Sequence, residues 1–204
     1  QLGFHFRDIK ILLISHAHWD HCAGSAEIVK LTGARYMVMT GDAAEVESGG
    51  KENFFYANQP PTVYTPTKVD RVWRDGDEVR RGETVFVARH TPGHTRGTTT
   101  WTMKVRDAGK TLDAVIIGSP NVNAGYVLVG NPRYPEIADD FAKGFQVLKS
   151  LPCDVFLGAH GDYYRMEAKL ARQKANPTAA NPFIDPEGYK NYVAGRERAF
   201  LAEL

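Results

Sequence analysis

Three short histidine clusters, each placed where a hydrophobic run ends, constrain this chain more than any other feature. The first is His16-Ala17-His18-Trp19-Asp20-His21, the second Thr91-Pro92-Gly93-His94-Thr95, and the third Gly158-Ala159-His160-Gly161. They hold five of the seven histidines. Imidazole is the commonest metal ligand, and imidazoles with a carboxylate and no partnering thiolates favour zinc in a catalytic site.

The spacing sorts the ligands. His16 and His18 stand two apart at a strand end, so both side chains lean to one side, ~6.5 Å between Cα atoms. Asp20 and His21 fall in the following turn, where the chain reverses into a helix. His16, His18 and His94 make a three-imidazole set that leaves a fourth position for water. Asp20, His21 and His160 form a second set. Two zinc ions ~3.5–4 Å apart share one hydroxide, and zinc brings the pKa of its water to ~7. The pattern therefore reads as a two-zinc hydrolase.

Single residues near the clusters have plainer readings. Asp20 suits a helix N-cap, but the histidines around it favour the ligand role. His90 reads as a packing or supporting residue, His5 has no cluster, Cys22 reads as a small buried residue and Trp19 as a packing wedge. Cys22 and Cys153 are far apart and outside any CxxC pair, so two separate thiols are expected and the redox compartment stays open.

With 25 basic and 24 acidic residues the formal charge is +1, which points to neither nucleic acid nor an acidic lipid surface. A small-molecule substrate is expected. No apolar run approaches the ~20 residues of a membrane span. The 204 residues suit one domain, residues 1–204. The chain opens at Gln1 without methionine or signal peptide, as a processed or truncated chain would.

Strands are expected at Ile11–Ile14, Tyr36–Met39, Val69–Val72, Glu83–His90, Thr98–Val105, Ala114–Ile117 and Asp154–Leu157. Helices are expected at Gly24–Leu31, Glu136–Leu151, Tyr164–Lys174 and Pro186–Leu204, and a brief one after Asp42, capped by that residue. Gly49–Pro66 reads as a loop carrying Phe54, Phe55 and Tyr56. Strands and helices alternate without a linker, which fits one layered α/β domain.

HxHxDH with two distant histidines resembles the metallo-β-lactamase superfamily, over Ile11 to Leu204. Three stretches resemble its subclass B3 more finely: Thr91 to Gly97, Gly125-Tyr126 leading to Gly130 to Pro135, and Leu151 to Val155. The tail Asn181 to Pro186 and Asn191-Tyr192 fits the same group. The resemblance implies an αβ/βα four-layer sandwich, here lacking part of its N-terminal sheet, so that the Ile11–Ile14 strand loses partners.

It also implies the activity: zinc-dependent hydrolysis of the β-lactam amide by a metal-bridging hydroxide, conferring antibiotic resistance. Asp20 orients the nucleophile and Tyr126 approaches the carbonyl oxygen. Ser119 hydrogen-bonds the substrate carboxylate with help from Asn121 or Asn123, and the Phe54-Phe55-Tyr56 loop walls the site. Glyoxalase-, lactonase- and ribonuclease-like relatives carry a bridging aspartate where this chain has Ser119, which disfavours thioester, lactone or phosphodiester substrates. A zinc-binding but inactive fragment is the reading from another class. By the same resemblance the protein is periplasmic or secreted, and Cys153 is free because Tyr189 stands where some relatives have its partner.

Overall fold

The computed structural model describes residues 3–57 and 59–204. Alternation builds its layers. In β2 (Arg35–Met39), Tyr36 and Val38 face one way and Met37 and Met39 the other, and all four are buried. β2 is the middle strand of a parallel three-stranded sheet, flanked by β1 (Ile11–Leu13) and β3 (Arg71–Trp73). A second sheet has the order β4 (Glu78–Arg81), β5 (Thr84–His90), β6 (Thr99–Asp107), β7 (Lys110–Ile117), β8 (Val155–Gly158). Its first three pairings are antiparallel and β7–β8 is parallel.

Met37, Met39 and Trp73 meet Val79, Ala88 and Trp101 between the two sheets. Tyr36 and Val38 pack with Cys22 and Val46, from α1 (Trp19–Cys22) and α3 (Ala43–Ser48), and with Val29 of α2 (Ser25–Thr32). On the far side, Val115, Ile117 and Phe156 are covered by α4 (Ile137–Ser150) and α6 (Pro186–Glu203) through Phe141, Phe145, Leu148, Val193 and Phe200. The order helix, sheet, sheet, helix is the expected four-layer sandwich. α5 (Met166–Ala175) follows β8.

The topology places the site. β5, β7 and β8 run in one direction, with β6 opposed between β5 and β7, so their C-terminal ends share one edge. Thr99 N–H donates to the Ser15 carbonyl at 2.7 Å and Trp101 Nε1 to the Ile14 carbonyl at 3.1 Å. These bonds pull the end of β1 to the same edge.

Several boundaries differ from expectation. β4 was not expected, because Glu-Val-Arg-Arg offers only Val79 as a buried residue. β6 and β7 extend into an exposed hairpin that pairs Arg106 with Thr111. Helix α5 starts two residues late because Arg165 is left-handed at φ 56°. Among the described residues, β1 lies at its sheet's edge and pairs with β2 alone; it is half-buried. Cys22 and Cys153 are both free, and no helix among the described residues is long and apolar enough to cross a membrane.

Phe145 is 1% exposed and lies against Phe141 and Phe200, with ring centroids 6.5 and 5.7 Å away. Phe145→Ala should lower unfolding free energy by about 3–5 kcal/mol, read from the urea midpoint.

Candidate metal centre

The loop after β1 carries His16 and His18 inward, and α1 turns Asp20 and His21 toward them. His94 follows β5 and His160 follows β8. All six expected ligands meet at the shared sheet edge. Ring centroids are 4.8 Å apart for His16–His18, 4.7 Å for His16–His94 and 4.6 Å for His18–His94. The donor atoms of that trio lie within 4.8 Å of one another, as do those of His16, Asp20 and His21. His21 Nε2 is 2.9 Å from His160 Nε2 and 3.2 Å from the Asp20 carboxylate, which is 3.6 Å from His160.

Burial sets the protonation. Desolvation holds His16 and His18 well below the ordinary 6.5, and it brings His94 to about 4. All three are neutral imidazoles, the ligand form. The His21 hydrogen bond brings Asp20 down to about 2, so it is a carboxylate. Asn121 carbonyl accepts from His94 Nδ1 at 2.7 Å, and the Ser15 hydroxyl lies 3.0 Å from His16 Nδ1 and 3.3 Å from His21 Nδ1. Such outer bonds fix tautomers and turn the other ring nitrogen inward. His16 Nε2 and His18 Nε2 are buried with no hydrogen-bond partner among the described residues. A buried orphan of this kind is costly unless something accepts its lone pair. The residues fit metal ions.

Asp42 organises the ligand loops. Sequence suggested a helix cap, but its carboxylate makes no cap bond to α3. It accepts instead from Ala17 N–H at 2.8 Å, Thr95 hydroxyl at 2.8 Å and Gly97 N–H at 2.6 Å. The loop partners are constrained in turn: a Cβ on Gly97 would lie 2.6 Å from Asp42, and one on Gly93 (φ 125°) 2.5 Å from Phe141. Burial raises the carboxyl of Glu45, one turn along α3, and Asp42 beside it adds to the shift. Of the two acids, Asp42 has three donors and holds the charge, while Glu45 is the protonated partner.

Above the imidazoles lies a cavity of about 370 Å³. Asn121, Asn123 and Tyr56 line it, joined by Tyr163, Asp162 and Trp19. Asn123 Nδ2 donates to Tyr56 hydroxyl at 3.0 Å, and the Tyr56 ring stands edge-on to His18 at 5.2 Å. Ser119 is 1% exposed and lies behind Tyr163, whose hydroxyl is 2.9 Å from Ser119 Oγ and accepts from Asn121 Nδ2 at 2.8 Å. Tyr126 also sits behind the wall, donating to the His94 carbonyl at 2.9 Å, with Phe55 packed on it. Trp19 is no packing wedge: it is 46% exposed at the rim. His90 supports the second loop through the Arg96 carbonyl, 2.7 Å from its Nε2. Sequence reading missed Asp42, Tyr163 and Asp162. The signal for the last two was their place directly after His160.

The metallo-beta-lactamase superfamily model matches residues 1–160. Hydroxyacylglutathione hydrolase of Cereibacter sphaeroides is 25% identical over 160 residues, 78% of this chain and 51% of that protein. A metal-dependent hydrolase of Pyrococcus abyssi is 34% identical over 68 residues, 33% and 28% of the two chains. The matches thus span about half or less of these curated relatives. Among solved structures, native FEZ-1 metallo-beta-lactamase from Legionella gormanii superposes with a TM-score of 0.96 at 50% identity, over 99% of this chain and 76% of that one. BJP-1, a subclass B3 metallo-beta-lactamase of Bradyrhizobium japonicum, gives 0.91 at 36% identity over 99% and 75%. A class B3 di-zinc metallo-beta-lactamase from an Alaskan soil metagenome gives 0.91 at 30% over 100% and 76%.

Two variants test the acids. Asp42→Asn places an amide against a buried donor and should cost about 1–3 kcal/mol, with weaker metal retention in competition against a chelator. Glu45 has a folded pKa above its ordinary 4.5, so the fold binds its proton more tightly than the unfolded chain. Stability should therefore fall as pH rises from that value. Glu45→Gln should flatten the decline, giving a higher urea midpoint than the parent at pH 8 but not at pH 4.

Proposed function

Because the chain belongs to the metallo-beta-lactamase superfamily, and its fold and histidine-rich site support metal binding, we propose that it is a metal-dependent hydrolase that cleaves the amide bond of β-lactam antibiotics with two zinc ions. The observation that carries the substrate is the 50% identity to the Legionella gormanii metallo-beta-lactamase across 99% of this chain. Ser119 at the end of β7, where thioester and phosphodiester hydrolases of this family place an aspartate, favours the same substrate.

His16, His18 and His94 would hold one ion and Asp20, His21 and His160 the other; metal ions bound there would lower the pKa of their water toward neutrality and polarise a substrate carbonyl. The chain's own residues do the remaining work. Asp20, ionised at the cavity edge, accepts a hydrogen bond from the attacking water and aims it. The neutral imidazoles bring no competing positive charge. Asn121 and Tyr163 offer polar contacts to the substrate carboxylate, with Ser119 acting through Tyr163. Trp19 and Tyr56 supply apolar faces for its side chains.

Water is the nucleophile, because the chain's own candidates are engaged. Burial pushes the Cys22 thiol up to about 12, and it donates to the Ala17 and His18 carbonyls. Ser119 Oγ is held by Tyr163. No acyl-enzyme forms, and preorganised charge lowers the barrier. Antibiotic resistance and a periplasmic or secreted location belong to the same proposal.

The likeness to hydroxyacylglutathione hydrolase favours a second reading, a thioesterase. Zinc content should be measured beside turnover of a chromogenic cephalosporin, a thioester and a phosphodiester. Two zinc ions per chain, with cephalosporin turnover lost to a chelator and restored by zinc, are expected. Two zinc ions with thioester turnover alone would overturn the β-lactamase reading. Less than one zinc per chain would point to an inactive fragment.

A further inference from the structure

Glu45 has no part in the chemistry above, yet it is 7% exposed and, among the described residues, its side chain is aimed at a single partner. Its Oε1 accepts from Asn53 Nδ2 at 2.7 Å. Asn53, 2% exposed, uses its other amide atom on the loop that follows: Oδ1 accepts from Phe55 N–H at 2.8 Å and Tyr56 N–H at 2.5 Å. Phe54 is thereby plugged into the core against Tyr126 and Tyr134, and Tyr56 reaches His18 and Asn123.

We propose that Glu45 is a positioning residue for the cavity wall: through Asn53 it fixes Tyr56 over His18 and so sets how tightly the site grips the non-reacting part of its substrate. The use of that grip rests on the hydrolase reading above; the positioning itself does not.

The physical reason lies in the shape of an amide. The oxygen and nitrogen ends of Asn53 are almost equal in size, so packing alone does not choose between them. Two backbone donors, Phe55 and Tyr56, need the oxygen. Turned over, the side chain would set its own N–H groups against both. Glu45 Oε1 meets the amide's N–H on the far side and so adds to the preference for the observed orientation. The loop's neck is tied independently, by Tyr64 N–H on the Gly49 carbonyl at 3.0 Å and Gly50 N–H on the Glu45 carbonyl at 2.9 Å. Those bonds hold the ends of the loop; at its tip Gln59 N–H and the Thr62 hydroxyl donate to the Tyr56 carbonyl at 3.0 and 2.9 Å, while the N–H groups of Phe55 and Tyr56 are held by Asn53.

The test uses the zinc-loaded protein and four variants: Glu45→Leu, Glu45→Gln, Asn53→Ala, and the double variant that joins Glu45→Leu to Asn53→Ala. Amide hydrogen exchange is followed in the peptide containing Phe55 and Tyr56, beside kcat and KM for a cephalosporin. Glu45→Leu should speed exchange about tenfold, the loss of one buried hydrogen bond. It should raise KM several-fold with a much smaller change in kcat. Glu45→Gln, which keeps the acceptor, should restore both. The double variant should exchange no faster than Asn53→Ala, because both changes cut one chain of contacts.

Parent-like exchange in Glu45→Leu overturns the proposal, as does Glu45→Gln behaving like Glu45→Leu, or a fall in kcat at unchanged KM. Should Glu45→Leu not fold, Asn53→Ala must itself give the faster exchange and higher KM; parent values there overturn it too. If the parent turns over no β-lactam, the hydrolase reading fails, and the exchange rates alone decide the role of Glu45.

Discussion

One buried carboxylate holds the site together. Asp42, fully enclosed at the end of the three-stranded sheet, takes a hydrogen bond from the residue between His16 and His18 and two more from the residues following His94. Those loops come from different sheets. Without a common acceptor, three desolvated imidazoles would have to be kept with their donor atoms within 4.8 Å of one another by packing alone. Charge-assisted bonds are roughly twice as strong as neutral ones, and here the donors are backbone and hydroxyl groups that would otherwise be stranded in the interior. The cost of burying the charge is offset by satisfying all of them.

The same balance explains the neighbouring acid. Two carboxylates one helical turn apart in an apolar layer cannot both ionise readily. Asp42, with three donors, keeps the charge; Glu45, with one, is left neutral. The start of α3 therefore places two acids with different tasks, Asp42 just before it tying the ligand loops and Glu45 within it facing the aromatic loop.

How much of this was legible in the sequence depends on whether a residue's role is local. HxHxDH was readable because its geometry is set by a strand end and the turn after it, and the strands were readable where both faces are buried, as in β2 and β7. β4 was not, since Val79 is its one buried residue. Asp42 looked like a cap because capping residues and buried loop acceptors share the same side chain; only the fold brings Ala17, Thr95 and Gly97 to it. Trp19 was misjudged for the converse reason, its pattern of neighbours giving no sign that the turn of α1 leaves the ring at the rim. Ser119 was expected to face a ligand, and Tyr163, distant by 44 positions, stands in front of it.

The origin of the six donors along the chain has a consequence for biosynthesis. The three-imidazole group is complete once His94 has been made, whereas His160 lies 66 positions later, beyond α4 and at the end of the last strand. The trio also draws on residues made after His94, since Asn121 holds the His94 ring and Thr99 and Trp101 hold the end of β1. His160 reaches the centre through β8, which is held in place by its pairing with β7.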